Sequence, residues 1–197
     1  MDISEESLKK LLTIPDRTTF SGLRDYALII LTLDTGIRPN EALSLQIKHF
    51  DFKRLLIIIT SETAKTREER TLPISPLTAE PIRKLIMARH PEWDVNAPVF
   101  CSYEGKPLTL TSWNHRLDNY SKKIGVKVRP YDLRHSFALL YLRNGGHAFG
   151  LQRTLGHADM QMTKRYVHLT GHDLRELHSK ASPLGSLIKN KKRIRKL

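Results

Sequence analysis

The sequence predicts an α+β domain that is mostly helical, with one small antiparallel sheet. Three observations carry this. Apolar residues recur at helical spacing through most of the chain, and glycines follow several of those stretches. One short β-branched run, Leu55–Thr60 (LLIIIT), reads as a strand with a return partner nearby. The 197 residues, 40% hydrophobic and 27% charged, are enough for one sizeable core and exclude a disordered or membrane-embedded chain.

The elements follow in order. Ser4 caps a helix to about Leu12, ended by Ile14-Pro15. Leu23 to about Thr35 is helical, with Gly36 as its stop. Pro39, tolerated in a first turn, opens a short helix over Asn40–Gln46. Leu55–Thr60 and Arg70–Ile74 form a hairpin whose charged loop, Ser61–Glu69, is too long for a two-residue turn. Leu77–Arg89 is a helix, and Val99-Phe100-Cys101 suggests a third strand stopped by Gly105 and Pro107. Helices are expected at Thr109–Ile124, Asp132–Arg143 (strongly amphipathic), His147–Leu155, Met160–Tyr166 and His172–Lys180. Residues 1–181 read as one domain and 182–197 as a basic tail.

Charge separates the two ends of the chain. The net charge is +13, from 33 basic and 20 acidic side chains. Residues 1–121 hold 16 of each sign, whereas residues 122–197 hold 17 basic and 4 acidic. Such an excess fits a polyanionic partner, either nucleic acid or an acidic membrane surface. Six of the basic groups lie in the tail: Lys189, Lys191, Lys192, Arg193, Arg195 and Lys196. The lone Cys101 closes no internal disulfide and no cysteine-based zinc site. The opening MDISEES lacks a basic and an apolar region, and no stretch is long enough to span a bilayer, so a soluble cytoplasmic protein is expected.

Three segments place charged or hydroxyl groups where packing does not require them. In TGIRPNEAL, Arg38 stands at a helix N-terminus, where backbone N–H groups already favour an anion. In RPYDLRHS, the i, i+3 spacing puts Tyr131 and Arg134 on one helical face. In LGHADMQMTKRYVHL, Lys164, Arg165 and His168 surround Tyr166, and cations beside a phenol favour phenolate. Each segment alone also fits an ordinary surface.

Together, in the order Arg … Lys … Leu-Arg-His … Leu-Gly-His … Tyr, they resemble the catalytic domain of the tyrosine recombinases, the phage integrase family. The resemblance runs from about Leu8 to His178. It implies the following roles. Arg38 and Arg134 clamp a scissile phosphate, Tyr166 is the nucleophile, and His157, nine residues earlier, bonds the phosphate. Lys65 matches the catalytic lysine, because the family's Lys-to-Pro spacing selects it over Arg67 and Arg70. Glu41 matches a supporting acidic position, and His135 a buttressing one. Tyr131 stands where the family usually has His. A phenol keeps the hydrogen bond to phosphate but exchanges a proton poorly near neutrality.

The resemblance implies DNA strand cleavage and rejoining on double-stranded DNA through a 3′-phosphotyrosyl link, without ATP or metal, in a homo-tetramer on the duplex. His168 and His172 are four apart, but no carboxylate completes a metal set with them. Family members carry an N-terminal helical domain as well, which leaves open a piece of a longer protein or a short member. The tail reads either as a segment lent to a neighbouring protomer, through Leu184, Leu187 and Ile188, or as a non-specific basic extension. An inactive DNA-binding protein and a type IB topoisomerase-like enzyme are the rival functions.

Overall fold

The structure, a computed structural model, describes residues 3–60, 69–157 and 159–170, together with His178, Ser182, Pro183 and Leu187. Eight helices and three strands occur among them. Helix α1 spans Glu5–Thr13 and α2 Phe20–Thr35, each capped by a hydroxyl, Ser4 and Thr19, that accepts from a backbone N–H of the first turn. Thr19 starts α2 three residues earlier than the apolar pattern suggests. Helix α3 is Pro39–Ser44, and a single 3-10 turn, Ile47–His49, follows it.

The sheet order is β1-β2-β3, all antiparallel, with β1 at Phe50–Asp51, β2 at Leu56–Ile59 and β3 at Arg70–Pro73. Ile57 lies opposite Phe50 on one side and Leu72 on the other, so the inward face is apolar. Leu55 has φ of 54°, a left-handed value that ends the preceding turn and keeps it out of β2. The third strand is therefore Phe50–Asp51 and not Val99–Cys101. Cys101 makes only an isolated bridge to Pro107, which has no N–H to extend a ladder.

The remaining helices are α4 (Pro76–Met87), α5 (Leu110–Ile124), α6 (Pro130–Arg143), α7 (Ala148–Leu155) and α8 (Met160–Thr170). Helix α2 packs against both α4 and α6, and α6 also meets α7 and α8. Hence α6 is not amphipathic in the structure. Leu133, Arg134, Ser136, Phe137, Ala138, Leu139 and Leu142 are all buried, because α2 covers one side and α7 and α8 another. A second, smaller core of Phe137, Ala138, Leu142, Leu151 and Leu155 joins α6 to α7, with Tyr166 packed on it.

A buried carboxylate ties α2 to α5. Asp25 Oδ1 accepts two hydrogen bonds from Arg24, while Oδ2 accepts from Arg116 and from the Tyr120 hydroxyl. Burial first, then the hydrogen bond to Asp25, pushes the Tyr120 phenol up to about 12, so it stays a donor. Among the described residues no helix is long and apolar enough to cross a membrane.

Candidate active site

Two helix ends build the site. Helix α2 stops at Gly36, whose φ of 61° suits glycine, and an added Cβ there would overlap the Phe137 ring and a Leu155 methyl. Helix α7 stops at Gly156 in the same left-handed conformation. The last carbonyls of both helices are unpaired within the helix and carry the negative end of its dipole. They receive the two candidate arginines. Arg134 Nη1 donates to Gly36 O at 2.5 Å and Nη2 to Leu155 O at 2.9 Å. Arg38 Nη2 donates to Gly156 O at 2.8 Å. Arg38 is the N-cap residue of α3, as its sequence position suggests, but its guanidinium is held at the far end of another helix.

Glu41 sits between two arginines and is 2% exposed. It accepts from Arg38 Nη1 at 3.2 Å, and from Arg70 Nη2 and Nη1 at 2.5 and 3.2 Å. Burial on its own would raise its carboxyl pKa; Arg70 and then Arg38 outweigh burial and hold it below the usual range. Arg70 makes the shortest of these bonds, and Arg38 adds one from its backbone N–H at 3.3 Å. Arg70 is the residue of this cluster that the sequence reading set aside. Alternation along β3 carried the signal, since Arg70 shares a face with buried Leu72.

Removing this carboxylate charge is expected to be costly. Glu41→Gln leaves Arg38, Arg70 and Arg134 with no acidic partner in this cluster, and breaking a buried pair costs about 3–5 kcal/mol. Urea unfolding would show this as a lowered midpoint. Adding Arg70→Gln should recover part of the loss.

Arg134 is 7% exposed. Burial, then Arg38 nearby, pushes its guanidinium down to about 10, which still leaves it charged at pH 7. His157 is buried between Arg134 and α8. Its Nε2 lies 3.3 Å from Arg134 Nη2, and its Nδ1 lies 3.0 Å from Thr163 Oγ1. Burial, then Arg134 and Arg38, pushes the imidazole down to about 4, so it is neutral at pH 7.

Tyr166 rises from α8 beside these groups. Its ring is 6.5 Å from the His157 ring and nearly parallel to it, and 5.2 Å from the His135 ring. Its flanking residues Lys164 and Arg165 are exposed. Tyr131, in the first turn of α6 three residues before Arg134, is 54% exposed. The structure thus brings together Arg38, Glu41, Arg134, His135, His157 and Tyr166. Lys65, His172, the His168 side chain and the tail residues Lys189 to Lys196 lie outside the described residues.

Residues 2–173 match the model of the Phage integrase family. The chain belongs to the phage integrase family. The match covers the elements that carry Arg38, Arg134, His157 and Tyr166. The chain is similar to the tyrosine recombinase XerD of Lacticaseibacillus casei, 32% identical over 188 residues, covering 93% of this chain and 63% of that protein. It also resembles a XerA recombinase in a crystal structure, with a TM-score of 0.75, 28% identity, and coverage of 93% of this chain and 65% of that one. A XerH recombinase bound to palindromic difH substrate, in a post-cleavage complex, aligns with a TM-score of 0.73 and 25% identity, over 92% of this chain and 52% of that one. The chain therefore spans less than two thirds of the length of each of these three relatives. The mostly helical domain with a three-stranded antiparallel sheet is the fold of these integrase-family catalytic domains.

Proposed function

We propose that this chain is the catalytic part of a site-specific DNA recombinase that cleaves and rejoins strands through Tyr166. One observation carries the reading: three guanidiniums, those of Arg38, Arg70 and Arg134, are offset in their cluster by the single carboxylate of Glu41. Excess buried positive charge is costly unless an anion covers it. A phosphodiester is such an anion, and Tyr166 lies beside the cluster, its ring 6.5 Å from that of His157. The similarity to XerH bound to its difH substrate supports DNA as that anion.

The chemistry is the one that the family resemblance implies. The Tyr166 oxygen attacks phosphorus, the phenolic proton passes to water, and a 3′-phosphotyrosyl ester forms. The P–O5′ bond breaks, and Lys65 supplies the proton that the 5′ oxygen needs. Arg38 and Arg134 offset the charge growing on the non-bridging oxygens. A 5′-hydroxyl of a partner strand then reverses the attack. Ester is exchanged for ester, so ATP is not required, and the family resemblance implies no metal ion. Duplex DNA and further copies of the protein on it are the proposed partners.

The test is a suicide duplex, nicked so that the released strand diffuses away. A covalent protein–DNA species on a denaturing gel is the expected result. Binding without that species points to an inactive DNA-binding protein. Relaxation of supercoils without strand exchange points to a topoisomerase-like enzyme.

Tyr131 offers a second measurement on the same substrate. General acid–base groups contribute about 10²–10⁴-fold, and an imidazole exchanges protons near neutrality where a phenol does not. Tyr131→His is therefore expected to keep the cleavage rate or raise it by roughly tenfold. A large loss would show that the phenol has its own role.

A further inference from the structure

We propose that Arg70 is a positioning residue for strand cleavage: it acts as the counter-cation of Glu41, so that Arg38 keeps its charge and its place for the phosphate. The inference deepens the recombinase reading and rests on it for the effect on cleavage.

The three arginines of the cluster are held in different ways. Arg134 donates to two backbone carbonyls, Gly36 O and Leu155 O. A carbonyl orients a guanidinium without cancelling its charge. Arg70 is held by a carboxylate instead. Its Nη2 and Nη1 donate to Glu41 Oε2 and Oε1, and its buried Nε has no partner among the described residues. A fork of two N–H bonds onto a carboxylate is among the strong pairings. Arg38 is held in both ways, by Gly156 O and by Glu41 Oε1.

The charges give Arg70 its role. Glu41 carries one negative charge and shares it between two guanidiniums, so Arg38, Glu41 and Arg70 together keep one positive charge. Without Arg70, the carboxylate faces Arg38 alone, three residues away across the first turn of α3, and that pair is neutral. Glu41 is buried, so water does not replace the donors that Arg70 provided. The carboxylate then draws Arg38 toward itself. Both effects weaken the hold of Arg38 on a phosphate.

The fold makes room for this sharing. Arg70 opens β3, opposite Ile59 of β2, and β3 meets α7. Gly156, at the end of α7, lies against both arginines. A Cβ there would stand 3.3 Å from Arg70 Cδ and Nε and 3.4 Å from Arg38 Nη1.

The experiment measures suicide-substrate cleavage and the salt dependence of duplex binding, with the full chain and three variants. Arg70→Gln should slow cleavage by roughly a hundredfold, the low end for losing one preorganised donor, and lower the salt slope by about one unit. Arg70→Lys keeps a cation on Glu41 without the fork and should cleave within about tenfold of wild type. Glu41→Gln/Arg70→Gln removes one charge of each sign. It should cleave about tenfold faster than Arg70→Gln alone and regain the salt slope. An ion pair that serves the fold alone gives the opposite order, because the double variant also loses the bond between Arg38 and Glu41. A double variant no faster than Arg70→Gln overturns the proposal. So does a folded Arg70→Lys slowed by about a hundredfold, which is the deciding measurement if Arg70→Gln does not fold. A wild type that binds the duplex but forms no covalent species overturns the recombinase reading. The salt slopes then decide the role of Arg70 by themselves, and an unchanged slope in Arg70→Gln overturns it.

Discussion

Tyr166→Phe should abolish the covalent DNA species while leaving DNA binding within about twofold. The substitution removes one hydroxyl and nothing else. The ring of Tyr166 packs on the small core of α6 and α7 and lies against His135 and His157. Phenylalanine fills the same space, so the fold and the arginine pair persist. No neighbouring hydroxyl takes over the attack. Thr163, the nearest hydroxyl residue along α8, is fully buried and hydrogen-bonded to His157. Loss of a nucleophile of this kind lowers rates by about 10⁶-fold in comparable enzymes, far beyond what a trapping gel detects. Affinity should hold because the proposed phosphate contacts are those of Arg38 and Arg134, which are held by Gly156 O and by Gly36 O and Leu155 O. Gel trapping and a binding titration on one DNA duplex measure both halves. Full trapping by the variant would sink the assignment of Tyr166 as nucleophile.

The residues that make this site were visible in the sequence, but the way they are held was not. Gly36 and Gly156 were legible as helix stops, because a left-handed residue at a helix end favours glycine. That their neighbourhoods would cradle Arg134 and Arg38 was not, since those bonds join residues 98 and 118 positions apart. Local periodicity carries no such information. The same blindness misjudged α6, which looks one-sided in sequence because Arg134 and Ser136 count as polar. In the structure both are buried, Arg134 at the ends of two helices. Arg70 was passed over because spacing to Pro73 favoured Lys65 as the family lysine. Its true place, inward beside Glu41, follows from strand alternation and from a carboxylate 29 residues away. The two-residue strand Phe50–Asp51 is too short for any periodic pattern, and it escaped for that reason.

Arg134→Lys should cost more than any other change that preserves charge. Arg134 makes three contacts at once: Gly36 O, Leu155 O and His157 Nε2. A guanidinium reaches all three because its donors diverge in one plane, whereas an ammonium is a single point at the end of a flexible stem. Lysine would satisfy one carbonyl and leave the other short of a donor. An unsatisfied buried acceptor costs about 1–3 kcal/mol, so the thermal midpoint should fall by several degrees. The effect on chemistry should be larger. Removing one preorganised donor from the charge that develops in the transition state typically costs about 10²–10³-fold, and here the remaining charge is also misplaced. Because lysine keeps the positive charge, the salt dependence of DNA binding should hardly change. The expected signature is thus a fall in cleavage rate on the suicide duplex with an unchanged salt slope. Arg38→Lys serves as the comparison: Arg38 gives one bond to Gly156 O and one to Glu41, whose carboxylate Arg70 also holds by two bonds. It should lose activity with a smaller loss of stability. If Arg134→Lys cleaves within about threefold of wild type, the bonds that α2 and α7 make to this guanidinium serve the fold and not the reaction.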